Sequence, residues 1–368
     1  MRVFEEHSGV GIPTHCAGLL SVNGLESLGI SRAVAESRFV LNKIRGARFH
    51  SPKGQSVVID AEDIKAYAVD RATFDRFLCE EAEKQGVEVI LRRKVESVSI
   101  GKDTVKLSIQ GGDQVEASMV IDGEGVAPRL LQQLGLGRDE KRSTFLAAQY
   151  EIEYAVTDLE LVEIFVGMSI VPGYFAWSIP ISMTRTRLGL AVQEGNPIEF
   201  LEKLRLSRFR ESVVRAKTFG RVLTGGPMKR LSADRAMVVG DAAGHVKATT
   251  GGGVILGGLC AKIAGLKAAQ AVDSRDFSAS NLKGYDRECE HKFGTEFSKM
   301  MLAREVMSRL EDNIIEKLFQ IVQESDLVQK ARMIGDMDLQ SGIIDLALKN
   351  PAVWKALLPI AKRILFPT

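Results

Sequence analysis

One stretch constrains the fold more than any other. It reads Met237-Val238-Val239-Gly240-Asp241-Ala242-Ala243-Gly244, then Gly251-Gly252-Gly253 and a long apolar segment. A short apolar run ending in Gly-Asp predicts a buried strand. The glycine triplet opening an apolar, helix-length segment predicts a helix over Gly252–Ala271. Bare N–H groups at a helix start carry partial positive charge and bind anions. Asp241 at the strand end can accept from a sugar or ribityl hydroxyl. A glycine triplet alone fits a tight turn equally well; strand, Gly-Asp, spacer, triplet and helix in sequence point to a ligand loop.

Around this loop the pattern alternates strands and helices. Asp70–Gln85 predicts a helix, with Asp70 as N-cap, Phe74, Phe77, Leu78 and Ala82 on one face and Gly86 at its end. Arg2–Phe4, Ser56–Asp60, Ala66–Val69, Val87–Leu91, Val95–Ile100, Val105–Gln110 and Glu116–Ile121 read as strands, with a hairpin turn at Gly111-Gly112-Asp113. Cys16–Ile30 reads as a short helix. Residues 145–195 are the most strand-rich, at Phe145–Tyr154, Leu161–Val166, Tyr174–Pro180 and Arg187–Val192, and suggest an antiparallel sheet with one face left for a ligand. A helix follows at Pro197–Ser207. Leu282–Phe366 is mostly helical, with an apolar stripe through Met307, Leu310, Ile314, Leu318, Ile321 and Val322.

Composition excludes several classes. The 368 residues are 45% hydrophobic and 26% charged, with a net charge of +2. A balance so close to neutral gives no global field for nucleic acid. Cys16, Cys79, Cys260 and Cys289 are scattered without a CxxC pair, so their spacing points to no metal site and no disulfide framework. No uninterrupted apolar run reaches the ~18 residues of a membrane-spanning helix, and the charged start lacks a signal-peptide core.

The loop Gly240–Gly253 resembles the second FAD-binding motif of glutathione-reductase-like flavoproteins. Within them the chain is most similar to the geranylgeranyl reductase family, in its archaeal digeranylgeranylglycerophospholipid reductase branch. Three further segments carry the resemblance. They are Val120-Ile121-Asp122-Gly123-Glu124-Gly125 with Arg129, Val69–Asp75 (Val-x-Arg-x-x-Phe-Asp), and Glu5–Leu19 with Pro13-Thr14-His15-Cys16-Ala17-Gly18. The resemblance spans about residues 1–270. Ala248 stands where the family has proline. The family opens with a strand, a Gly-x-Gly-x-x-Gly turn and a helix, absent here; with Glu5 in the ribose-acid position, roughly 25–30 residues are expected to be missing before Met1, either because the sequence begins at an internal methionine or because the chain is a natural truncation, whose sheet would lack its central strand.

The resemblance implies a mixed α/β fold. An FAD-binding Rossmann domain, incomplete at its N-terminus, would occupy residues 1–144 and 231–280. It would interleave with a β-rich substrate domain at 145–230 and be followed by a helical region at 281–368. It implies FAD as cofactor, held by Glu5, Cys16, Ala17, Arg71, Asp122, Gly240, Asp241, Gly251, Gly252, Gly253 and Val254. It implies reduction of isoprenoid double bonds, with Cys16 and Trp177 as catalytic residues. Tyr174, Phe175, Trp177 and Pro180 would bind the prenyl chain of an ether lipid or diphosphate; Phe175 and Ile179 replace the Tyr and second Phe of the family's Tyr-x-Trp-x-Phe-Pro pattern. His15 and His245 are weighed as proton sources and Lys247 as a counter-charge for reduced flavin, against ordinary loop roles. No second nucleotide site is visible, so ferredoxin and NAD(P)H both stay open as electron donor. Pro351–Phe366 has a broad apolar face opposite Lys355, Lys362 and Arg363, which suits either an interfacial helix or one docked on the body. The expected location is the cytoplasm, peripheral at the membrane. Two rivals share the sequence: a flavin monooxygenase or halogenase of the same fold, and a non-catalytic lipid-binding remnant.

Overall fold

The computed structural model describes residues 1–137 and 143–365, with side chains through Ile360. Its largest element is a seven-stranded sheet. In spatial order the strands are Val213–Leu223, Thr144–Glu153, Arg185–Val192, Phe175–Ser182, Leu161–Val166, Gly46–His50 and Ser56–Asp60. All neighbours are antiparallel except Leu161–Val166 with Gly46–His50. The sheet therefore draws two strands from well before residue 145, the expected boundary of a β-rich domain. The Val213–Leu223 edge strand was not expected from sequence.

Outside the large sheet, parallel strands fall into two separate pairs. Arg2–Phe4 pairs with Glu88–Ile90, and Val120–Asp122 with Ala236–Val238. Among the described residues no ladder joins the two pairs. Leu19–Ser21, Ala66–Val69 and Val40–Ile44 form a three-stranded antiparallel sheet, and Val95–Ile100, Val105–Ile109 and Gln114–Ala117 a meander. The meander turns at Gly111 and Gly112, both at positive φ, where the Ile109 amide donates to the Asp113 carbonyl at 2.8 Å.

The helix Arg71–Lys84 forms where expected. Asp70 accepts from the Thr73 amide at 3.0 Å, which satisfies one of the donors a helix start leaves unpaired. Phe74 and Phe77 bury against Phe39, with ring centroids 5.1 and 5.6 Å apart. An Asp70→Ala variant is expected to lose about 1 kcal/mol of stability in urea unfolding; an unchanged midpoint would show the cap to be redundant with the aromatic packing.

The helix expected over Cys16–Ile30 is shorter. Gly18 sits at φ +72, Leu19–Ser21 joins a sheet, and helix occupies only Val22–Leu28, capped by Ser21 through the Gly24 amide. The apolar stripe from Met307 to Val322 spans two helices, Ala279–Met307 and Asp312–Gln323. Leu310, Ile314, Leu318 and Ile321 pack on a C-terminal cluster around Leu327, Val353, Leu357 and Ile360. The Pro351–Leu365 helix thus docks on the body, leaving Trp354 and Leu358 exposed. The side chains of Lys362 and Arg363, and Phe366, lie outside the described residues. The helix Val254–Ser274 is by length and composition apolar enough to cross a membrane; here Leu256, Cys260, Ala264 and Ala271 are fully buried in the core.

Candidate active site

A cavity of ≈ 1320 Å³ separates the large sheet from the Ala236–Val238 region. Ligand pockets commonly run to about 300–1,000 Å³, so this one has room for a large cofactor and more. Its polar end is the glycine loop. Gly240, Asp241, Gly251, Gly252, Gly253 and Val254 all line it. Gly240 and Gly251 adopt φ +63 and +69, which side-chain-bearing residues rarely do. No side chain caps the Val254–Ser274 helix; its N-cap is Gly253. A Cβ on Gly253 would lie 2.7 Å from Asp241 Oδ1, so the carboxylate is seated against the helix start. This donor set suits an anionic or hydroxyl-bearing ligand.

Lys247 is neither a solvated loop residue nor a lone counter-charge. Its side chain is buried, and Nζ donates to Asp338 Oδ1 at 2.7 Å and to the Met337 carbonyl at 2.8 Å. Ser21 Oγ donates to the other Asp338 oxygen. Thr249 Oγ1 donates to Gln340 at 2.5 Å. The segment 335–340 is thereby fastened across the glycine loop, and Gly335, Asp336, Met337 and Gln340 complete the cavity wall.

The apolar wall comes from the Phe175–Ser182 strand. Side chains alternate across a strand, so Phe175, Trp177 and Ile179 face the cavity. Trp177 pairs across the ladder with Gly189. A Cβ there would lie 2.6 Å from the indole ring, so glycine is what lets the ring lie across the neighbouring strand. Trp177 Nε1 donates to Gln149 Oε1 at 3.0 Å. The same alternation corrects two expectations. Pro180 faces the opposite side, in a small crevice with Ser178 and Thr186. Tyr174 precedes the strand and is buried against Phe145, Phe175 and Arg304, off the cavity. Its phenol is pushed well above its ordinary pKa by burial.

Cys16, Ala17 and Arg71 meet at the cavity edge, with exposed His15 beside them. The Gly18 amide donates to Cys16 Sγ at 3.3 Å. Arg71 forks onto Asp75 at 2.9 Å. Burial works against the Arg71 charge, but Cys16 and Asp75 more than offset it and raise its pKa. Arg187, unmarked in the sequence reading, donates to the Ala17 and Val69 carbonyls, both at 2.9 Å, and fixes the Cys16 loop to the sheet.

Other expected residues lie elsewhere. Glu5 accepts from the His7 amide at 2.8 Å and is off the cavity wall. Asp122 is buried behind it and accepts from the Glu124 amide at 2.9 Å, shaping the turn that brings Gly125 to the cavity. His245 is fully buried off the cavity, with its pKa pushed down to about 4 by burial, and so is not a proton source.

Residues 25–314 match the family model described as tryptophan halogenase. Digeranylgeranylglycerophospholipid reductase 1 of Methanothermobacter thermautotrophicus is 30% identical over 353 residues, covering 89% of this chain and 87% of that protein. Among solved structures, a geranylgeranyl bacteriochlorophyll reductase-like protein of Thermoplasma acidophilum superposes with a TM-score of 0.84 at 22% identity, over 97% of this chain and 92% of that one. A halogenase solved in complex with FAD superposes with a TM-score of 0.65 at 15% identity, over 100% and 87%. The chain belongs to the flavoprotein family that the tryptophan halogenase model describes, and to the geranylgeranyl reductases.

Proposed function

We propose that this chain is an FAD-dependent reductase of isoprenoid carbon–carbon double bonds, acting on geranylgeranyl chains of an ether lipid or a prenyl diphosphate. The observation that carries the reading is the joining of two unlike ends in one cavity: the Gly240–Val254 donor loop and the Phe175, Trp177 and Ile179 wall. The residues present fit FAD. A Cβ on Gly252 would lie 2.8 Å from Lys247 Cε and one on Gly251 2.1 Å from Val222 Cγ1, so only glycine closes this loop while leaving its backbone on the cavity. Bound and reduced, FAD supplies the hydride that such a reduction needs.

The chain's own residues do the rest. The glycine loop and Asp241 hold the cofactor's polar parts. Phe175, Trp177 and Ile179 align an apolar chain and exclude water, and positioning carries much of the rate for an unactivated alkene. Cys16 Sγ holds the proton for the second alkene carbon, and Arg71 beside it places positive charge at the cavity wall. Exposed Trp354 and Leu358 on the C-terminal helix support peripheral contact with the lipid surface that supplies the substrate.

The purified chain, mixed with FAD and gel-filtered, is expected to keep the flavin's visible bands. Reduced under anaerobic conditions, it is expected to add two hydrogens per double bond to geranylgeranyl ether lipid, read by mass spectrometry. A hydroxylated or halogenated aromatic product would favour the oxygen-dependent rival; a colourless protein would overturn the cofactor assignment. Cys16→Ala is expected to retain FAD and lose about 100-fold in kcat/KM, the scale of one acid–base group.

A further inference from the structure

One set of ligating side chains lies outside the cavity and has no part in the reaction above. His245 lies within the glycine loop, Cys260 on the Val254–Ser274 helix and Cys289 on the Ala279–Met307 helix. Their spacing in sequence carries no metal signature. In the fold, one imidazole nitrogen and the two sulfurs all lie within 4.8 Å of one another. The residues are 0%, 0% and 4% exposed. Neither ring nitrogen of His245 has a hydrogen-bond partner. A buried polar atom left so costs about 1–3 kcal/mol, and native interiors seldom tolerate it. An imidazole that is unpartnered on both sides, buried beside two thiols, calls for a ligand that all three bind.

We propose that His245, Cys260 and Cys289 form a buried site for a thiophilic d10 metal ion, zinc(II) or copper(I). Sulfur and imidazole select such ions over hard cations, which prefer oxygen. Binding is not a redox step. Each thiol releases its proton to solvent and gives a sulfur lone pair to the ion, and neutral imidazole gives a nitrogen lone pair. With zinc(II) the two thiolates bring the net charge to zero, which limits the cost of burial. Copper(I) leaves one negative charge but accepts three ligands. A tetrahedral zinc sets sulfur–sulfur separations of about 3.8 Å, and the ligand atoms here all lie within 4.8 Å of one another.

The surroundings suit a buried three-ligand site, which copper(I) fills by itself and zinc(II) completes with one water. Phe297 stacks on His245 with centroids 6.1 Å apart, and the Tyr285 hydroxyl donates to the Val238 carbonyl at 2.9 Å. Gly257, Gly258 and Ala261 of the Cys260 helix line the cavity, whereas Cys260 does not. The ion would therefore sit behind the cavity and tie the glycine loop to both helices.

The test uses the full chain, stripped with a chelator under reducing conditions and then loaded separately with zinc(II), copper(I) and, as a spectroscopic probe, cobalt(II). The expected result is one equivalent of zinc or copper retained through gel filtration, and a thiolate-to-cobalt charge-transfer band. In a denaturant concentration that exposes Cys260 and Cys289 of the metal-free chain to a thiol reagent, these two of the four cysteines should react more slowly once metal is added. Cys260→Ala, Cys289→Ala and His245→Gln should each weaken binding more than about 100-fold, beyond what a changed outer-shell partner brings, while Cys79→Ala leaves it unchanged. Retention of zinc over copper in competition, or the reverse, assigns the ion. No retained metal, equal retention in all variants, or loss of two thiols to a disulfide without metal overturns the proposal. Should the cysteine variants not fold, wild-type thiol protection and His245→Gln still decide it.

Discussion

Asp338→Ala is expected to destabilise the protein by about 3–5 kcal/mol, the cost of leaving one member of a buried ion pair without its partner. Lys247 is 7% exposed and Asp338 5%, so water cannot replace the lost carboxylate. The variant leaves the Lys247 ammonium with only the Met337 carbonyl, and the Ser21 hydroxyl loses its acceptor. The damage extends to the site, because Lys247 is part of the loop whose next residues are Ala248–Gly253. A lower denaturation midpoint together with weaker FAD retention is the expected pair of results. The double variant Lys247→Met/Asp338→Leu separates charge from packing. Replacing a whole buried pair by apolar residues is often neutral, so it should recover most of the stability lost by the single change. A single variant within 0.5 kcal/mol of wild type would show that the pair contributes nothing.

That ion pair also shows what could not be read from the sequence. Lys247 and Asp338 are 91 residues apart, and nothing in the local pattern of either predicts the other. The features that were legible are those with a local cause. The Gly240–Gly253 loop follows from backbone sterics, the Arg71–Lys84 helix from an N-cap and a 3.6-residue stripe, and the strands near 145–192 from alternation. Alternation also contained a fact that the motif reading passed over. Trp177 and Pro180 differ by three positions, so one strand cannot turn both to the same face; Ile179 is the residue that joins Trp177 on the cavity. The edge strand Val213–Leu223 was missed because most of its residues lie partly or fully exposed, which leaves little apolar patterning to detect. The parallel pairs were legible as strands, but their division into two ladders is a matter of partners rather than of propensity. His245, Cys260 and Cys289 escaped notice for the same reason: metal-ligand spacing is a signal only when the ligands are neighbours in sequence.

Gly251→Ala is expected to cost about 2–5 kcal/mol and to abolish FAD retention. Two independent penalties add. At φ +69 a side chain pays roughly 1–2 kcal/mol for the left-handed conformation. The new methyl would also stand 2.1 Å from Val222 Cγ1 and 3.1 Å from the Tyr174 hydroxyl oxygen. No flexible side-chain end is available there to move. Val222 is anchored in the Val213–Leu223 strand, and Tyr174 is wedged between Phe145 and Arg304, so overpacking adds about 1–3 kcal/mol. Two comparisons separate the penalties. Gly54 has φ +90 with open space around its missing Cβ, so Gly54→Ala should show the conformational cost alone. Gly251→Ala/Val222→Ala removes the nearest clash and should recover the steric share but not the conformational one. The binding consequence follows from geometry, since a loop that shifts to admit the methyl carries the first turn of the Val254–Ser274 helix away from Asp241. Gly251→Ala that matches Gly54→Ala in stability and still holds FAD after gel filtration would mean that the loop yields freely, and that the cofactor is held elsewhere in the cavity.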